Sequence, residues 1–315
     1  MTGLVEIFRK ELSDNFNSKR FVILFLLVYL AGVASIYIAA QNIRSSVDDT
    51  TRYVFLNLFI VSGKDLPFSF PLFMSIFLPI IGIALGFDAI NSERTSGNLS
   101  RLLAQPIYRD NVINGKFLAG LVMIAIIVIS IVTLVAGLGL RMIGVPPEAE
   151  EILRLFAFIF VSILYGAFWL SLSMLFSILF RKTATSALTS IAIWVFFFLF
   201  MSLIAGLIAN AIIPINNNSA FEDIAKFDTL YRMISRIDPG TLYSECIQAL
   251  LLPIMGSSSP TMMMIGIYGG LKPAPLSIAQ SLLIVWPQVV SLLALTALCF
   301  IISYIKFMRE EIRST

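Results

Sequence analysis

The chain has 315 residues, of which 58% are hydrophobic and 13% charged, with a mean hydropathy of +0.91 and a formal net charge of +3. Soluble domains average about 45–50% apolar and about 25% charged residues, so this is the composition of an integral membrane protein. The small net charge without a long basic run argues against a nucleic-acid partner, and the absence of histidine removes Ser-His-Asp and Cys-His catalysis, the usual zinc ligand sets and histidine proton relays.

Six apolar runs are long enough to cross a hydrocarbon core of about 30 Å, which takes roughly 20 helical residues: 21–40, 67–87, 117–140, 155–180, 183–213 and 283–305. They are continuous rather than short and alternating, so the backbone must satisfy its own hydrogen bonds as helices. The expected fold class is an all-α membrane protein with six transmembrane helices, forming a single domain over 1–315. No cleavable signal peptide is expected, because the first apolar run begins only at Phe21, is too long for an h-region and lacks a small-residue cleavage site.

Lysine and arginine collect on one side of this topology: Arg9, Lys10, Lys19, Arg20, Arg94, Arg101, Arg109, Lys116, Arg181, Lys182, Lys306, Arg309 and Arg313. The positive-inside rule then places both termini in the cytoplasm of a multi-pass cell-membrane protein. Within the six runs no Asp, Glu, Lys or Arg falls in the interior, which disfavours ion-coupled transport. The sequence has no G-x-x-x-x-G-K-[ST] loop, since SGKD at 62–65 and NGKF at 114–117 lack the upstream glycine and the following hydroxyl. No enzyme activity and no cofactor are expected of this chain. A polytopic protein without its own energy source is a passive pore or scaffold, or is driven by a separate subunit.

In the second span, Gly82 and Gly86 form a small-x-x-x-small pair, and Ser202, Gly206 and Asn210 form a similar ridge in the fifth; intramolecular packing is the expected use of both. Pro79 and Pro287 are expected to kink their spans. Between the second and third spans lies the polar stretch FDAINSERTSGNLSRLLAQPIYRDNVINGK, 87–116. Ser96 can cap a short helix beginning near Gly97, with Leu99, Leu102 and Leu103 at i, i+3 and i+4 until Pro106 ends it; Asp110 can cap the third span. Spacing alone leaves open whether this helix lies on lipid headgroups or docks on a protein. The hydroxyls of TATSALTS, 183–190, are expected to bond their own backbone. The segment 214–282 is too long for a plain connection and too apolar for a disordered linker. It should carry one helix through Phe227, Leu230, Tyr231, Ile234 and Ile237 and a second over about 241–252, folded against the outer mouth. Cys246 and Cys299 are too few and too separated for a disulfide framework.

The loop resembles that of the ABC type-2 transporter permeases, in which an acidic residue is followed by E-x-x-x-G-x-L-x-x-L-L, a proline, an arginine and a G-K pair. Glu93, Gly97, Leu99, Leu102, Leu103, Pro106, Arg109, Gly115 and Lys116 match this pattern, Arg94 lies within it, and Tyr108 departs from it where a small hydroxyl residue is expected. The stretch 4–21 is similar to the family's amphipathic elbow helix, with Leu4, Ile7, Phe8 and Leu12 on one face and Arg9 and Lys10 outside it. IDPGTLYSECIQALLLP, 237–253, resembles the segment before the last span in the NosY-like branch. The resemblance implies an elbow helix over 1–20, a cytoplasmic coupling helix within 88–116 and a helical extracytoplasmic segment at 214–282. It further implies two copies of a separate ABC ATPase holding ATP and Mg, a second permease copy or a related permease, membrane lipid and, in some assemblies, an extracytoplasmic accessory protein. The function expected is that of the permease subunit of an ABC exporter; the alternative is an ATPase-independent scaffold or channel acting through its extracytoplasmic segment.

Overall fold

The computed structural model describes residues 2–46, 54–60, 69–95, 97, 108–144, 146–215, 220–253 and 276–309, and all regular structure among them is helical. In chain order the helices are α1 (Thr2–Phe16), α2 (Lys19–Ser46), α3 (Val54–Ile60), α4 (Phe70–Gly86), α5 (Asn91–Thr95), α6 (Arg109–Ile143), α7 (Ala149–Leu179), α8 (Thr183–Ile212), α9 (Phe221–Ser235), α10 (Pro239–Leu251) and α11 (Ile278–Arg309). Six of them, α2, α4, α6, α7, α8 and α11, are long and apolar enough to cross a membrane. Each spans one of the six apolar runs. Four of them begin ahead of their run in polar residues, as α7 does at Ala149 in AEEILR, because amphipathic turns continue a helix once the apolar stretch has paired its backbone.

The bundle is organised around α7, the most enclosed of the six spans, whose most extensive neighbours are α4 and α11. The α4–α7 seam is glycine-lined. A Cβ at Gly82 would lie 2.8 Å from the Gly166 carbonyl oxygen, and one at Gly86 would lie 2.8 Å from that of Leu170. Without side chains at these points the two backbones touch, and Ser173 Oγ donates to the Ile83 carbonyl across the gap at 3.1 Å. The small-residue pair in the second span thus serves intramolecular packing. Gly206 in α8 faces the Tyr231 ring of α9, the same use of the second ridge. Thr185, Thr189 and Ser190 each donate to a backbone carbonyl three or four residues earlier in α8, as expected of hydroxyls inside a span.

Among the described residues after α8, α9 and α10 form a helical hairpin that reaches deep into the bundle. Helix α10 runs antiparallel to α7. Its last turn lies at Arg154, which donates to the Leu250 carbonyl. Two residues before its middle, Tyr243 bonds Ser162 at 2.9 Å and stacks on Tyr165 with centroids 4.3 Å apart. Its first residues, with Asp238, share a cavity of about 200 Å³ with Trp169, Trp194 and Phe198. Trp194 and Phe198 lie near the middle of α8 and Trp169 past the middle of α7, so the hairpin tip sits deep within the bundle, level with the middle of α8. Asp238 starts α10 by accepting from the Gly240 and Thr241 N–H groups, with Pro239 in the first position, where its missing N–H costs nothing. Ile237, expected to continue the α9 stripe, lies instead in the exposed turn. The hairpin also brings charge where the spans have none: Glu245, 5% exposed, accepts from Arg236 and from Gln288 of α11. Charge-free spans therefore do not make a charge-free bundle.

The seam is directly testable. Gly86→Val should lower stability by about 1–3 kcal/mol, the usual cost of overpacking, whereas Gly137→Ala, whose Cβ meets nothing within 4 Å, should change little; thermal unfolding of the detergent-solubilised protein separates them.

Candidate coupling site

The end of the bundle that carries α1 also carries the 87–116 stretch, and its described residues are held by four kinds of bond. At the close of α4, Asp88 pairs with Arg20 at the start of α2, and the Arg20 guanidinium stands 5.3 Å from the centre of the Phe87 ring. The next turn leads into α5. Its leading N–H groups, those of Ile90 and Asn91, both donate to Ser177 Oγ near the end of α7, at 2.9 and 3.2 Å. Asn91, fully buried, donates its amide to the Phe87 carbonyl.

Glu93 follows in the first turn of α5. One of its oxygens accepts from Lys116 Nζ of α6 at 2.9 Å, and the same lysine donates to Glu11 of α1 at 2.8 Å. Lys116 is 7% exposed, while Lys10 Nζ, on the outer rim, stands 3.6 Å from both carboxylates. Among the described residues, two carboxylates thus share two ammonium groups, one buried and one exposed. Burial makes the inner pair consequential, since removing one member leaves the others desolvated without compensation. Beside it, a Cβ at Gly115 would lie 2.8 Å from Ile7 Cγ2. The Gly115–Lys116 pair therefore has two jobs: the glycine lets α1 lie against α6, and the lysine fastens it there.

Of the residues expected at this site, Glu93 and Lys116 are brought together directly. Phe8 and Leu12 are partly buried, with Leu12 packed on the core beside buried Ile7; Arg9 and Lys10 are exposed. Arg94 ends α5 and Arg109 opens α6, both partly buried. Gly97 adopts φ +72°, and its N–H donates to the Arg94 carbonyl. It closes α5 in a left-handed conformation that suits glycine; the helix expected from near Gly97 falls on residues outside those described. Ser96, Leu99, Leu102, Leu103 and Pro106 lie outside the described residues. Asp110 does not cap α6: the cap is Tyr108, which makes no side-chain bond there. Asp110 falls in the first turn, a position its charge suits. The Tyr108 departure from the family pattern is thus the point where the helix lacks a side-chain cap. Glu11, Ser177 and the Arg20–Asp88 pair were not singled out in sequence. Only Glu11 had a signal, its place one turn beyond Ile7 and Phe8 on the same helix.

The sequence pattern of the ABC-2 family transporter proteins matches residues 5–312. The chain belongs to this family. As an ABC-2 family transporter protein with six helices long and apolar enough to cross a membrane, it is a multi-pass membrane protein. It is also 32% identical, over 133 residues, to a Pseudomonas aeruginosa protein described as a probable ABC transporter permease protein, NosY. That match covers 40% of this chain and 46% of the relative, so it spans about half of the relative's length.

The cluster predicts a compensation experiment on this ABC-2 subunit. Lys116→Met should destabilise the protein by on the order of 3 kcal/mol, and adding Glu11→Gln and Glu93→Gln should recover most of that loss, because neutral amides need no counter-charge. Thermal unfolding of the single and triple variants measures both.

Proposed function

We propose that this chain is the membrane half of an ABC exporter, driven by a separate ATPase that docks on the stretch 98–107 and moves α5 and the first turn of α6. The observation that carries this reading is the convergence of three elements on Lys116. Helix α1, α5 and α6 meet at one buried ammonium, and the stretch with the leucine stripe joins the second of these to the third. A force applied there reaches both flanking helices and the N-terminal helix together. Leu99, Leu102 and Leu103 are the anchors in the partner's groove, and Glu93, Arg94, Gly97, Pro106 and Arg109 set the angle of the segment to the bundle.

The assembly contains two permease chains and two ATPase subunits, with ATP and Mg held by the latter. The second permease is another copy or a related chain, and the little-buried faces of α2, α8 and α11 are apolar surface for it and for lipid. Both termini face the cytoplasm of the cell membrane, with α1 as the elbow along the inner surface and 214–282 entering from outside. The cargo is lipophilic, or the stroke drives an outer accessory protein. The first is supported by spans without mid-depth charge of their own and by the aromatic wall at Trp169, Trp194, Phe197 and Phe198 of the cavity, whose Asp238 is bonded to the start of α10.

Replacing Leu99, Leu102 and Leu103 by Asp should abolish co-purification with the ATPase while leaving insertion intact, since three apolar anchors at about 1.5–3 kcal/mol each are removed from a groove. Normal recovery of the ATPase with this variant would refute the docking assignment. For orientation, accessibility tags after Thr315 and near Ser100 should be protected in intact cells and a tag near Asn217 should be labelled; an exchanged pair would overturn the topology.

A further inference from the structure

Helix α7 touches the coupling segment at one end and the far-end elements at the other, in each case through a side chain that accepts backbone N–H groups from a short helix. At the coupling end, Ser177 Oγ accepts from Ile90 and Asn91 at the head of α5. At the far end, Glu151 Oε1 accepts from Phe55 and Leu56 of α3 at 3.1 and 3.2 Å, while its other oxygen accepts from the Glu148 N–H that begins α7 itself. One turn on, Arg154 is fully buried. It donates to the Leu250 carbonyl at the end of α10, to Ser281 of α11 at 3.0 Å, to the Leu276 carbonyl and to Glu150. Two positions on α7, three residues apart, therefore hold α3, the end of the hairpin and the start of the last span.

Between Ser177 and Glu151 run 26 residue steps, about 39 Å of helix at 1.5 Å per residue. Over that length α7 has no proline, whereas its two most extensive partners carry Pro79 and Pro287. The contacts along it are close-packed, with Ser162, Ser171, Ser173 and Ser177 fully buried and the glycine seam against α4. A continuous, tightly enclosed helix cannot shorten or bend cheaply, so an axial or tilting displacement at one end is delivered at the other.

We propose that α7 is the strut of this subunit, with Ser177 as the positioning residue that takes up movement of the coupling segment and the Glu151–Arg154 clasp as the one that hands it to α3 and the re-entrant hairpin. The inference rests on the reading that an ATPase acts on the 87–116 stretch, and deepens it by naming the route. It differs from a purely structural role in one respect. Loosening either bond set should uncouple the far end from nucleotide while leaving ATPase docking untouched, because neither Ser177 nor Glu151 belongs to the docking stretch.

The test uses the permease assembled with its ATPase, with spin labels at Asn57→Cys on α3 and Asp223→Cys on α9; the native cysteines are both buried and do not compete. In the otherwise unaltered complex, adding ATP and vanadate should shift the distance between the labels. Ser177→Ala and Glu151→Met, which removes the oxygen that Phe55 and Leu56 donate to, should each retain the ATPase at normal yield and hydrolyse ATP within about twofold of the parent, yet lose at least half of that shift. Ser177→Thr, which keeps the hydroxyl, should restore it. A full shift in both Ser177→Ala and Glu151→Met, or no shift in the parent complex with ATPase bound, would overturn the strut. Failure of the parent to bind any ATPase would instead overturn the coupling reading beneath it. If Ser177→Ala folds poorly, Arg154→Lys, which keeps the charge but loses the fork that reaches Leu250, Ser281 and Leu276 together, tests the far clasp alone with the same readout.

Discussion

Backbone donors inside a membrane bundle cannot turn to water, and that constraint shapes three short helices among the described residues. The first N–H groups of a helix have no intrahelical acceptor, and in hydrocarbon each unsatisfied group costs several kcal/mol. Three helices begin against the spans, and each is served by a single oxygen-bearing side chain: α3 by Glu151, α5 by Ser177 and α10 by Asp238. Two of those side chains come from α7. The position of α3 and α5 is therefore dictated by the helix they lean on, and the enclosed span becomes the reference frame for both ends of the molecule.

Close backbone approach is the complement to that arrangement. Gly82 and Gly86 remove side-chain bulk where α4 meets α7, and Gly115 does the same where α1 meets α6. Lipid offers no hydrophobic drive for helices to associate, so contact area and interhelical bonds must hold the spans together. At the coupling end a further cost arises, because polar segments must be anchored on an apolar bundle. There a buried lysine is made tolerable by two carboxylates from different elements, and it converts three separately attached segments into one body. The direct bonds, 2.8 and 2.9 Å, go to residues 105 and 23 positions away in sequence, so this cluster forms only once the spans are assembled.

Six spans, the helical elements after the fifth of them and the intramolecular use of the small-residue ridges were legible in sequence, because each depends on local apolar periodicity or residue size. Glu93 was legible through its place in a family pattern; its partners were not, since nothing in the local sequence links Glu11 to Lys116. Lys10 and Lys116 reach Glu93 from other helices, because helix packing as well as chain proximity sets the distance. Ser177 was hidden for the opposite reason: a serine near the end of an apolar run carries no signal until a neighbouring helix presents two donors to it. The depth of the hairpin was also illegible. Its composition, with Asp228, Arg232, Arg236, Asp238 and Glu245, reads as an outer segment, and only the register of α10 along α7 shows how far in it reaches.

That depth bears on what its carboxylates mean. An acidic side chain level with the middle of a span is by default a candidate for an ion or proton path. Asp238 and Glu245 have structural employment that accounts for them. Both oxygens of Asp238 are taken by the N–H groups and hydroxyl that begin α10, and Glu245 is paired with Arg236 and bonded by Gln288. A carboxylate whose charge already stabilises a helix start, or an ion pair across two elements, would have to give up those bonds to pass a proton or bind a cation. The same charges that make the hairpin look like an ion pathway are therefore what fix its tip and its face against α11. A bundle built in this way spends its buried polarity on holding elements in place.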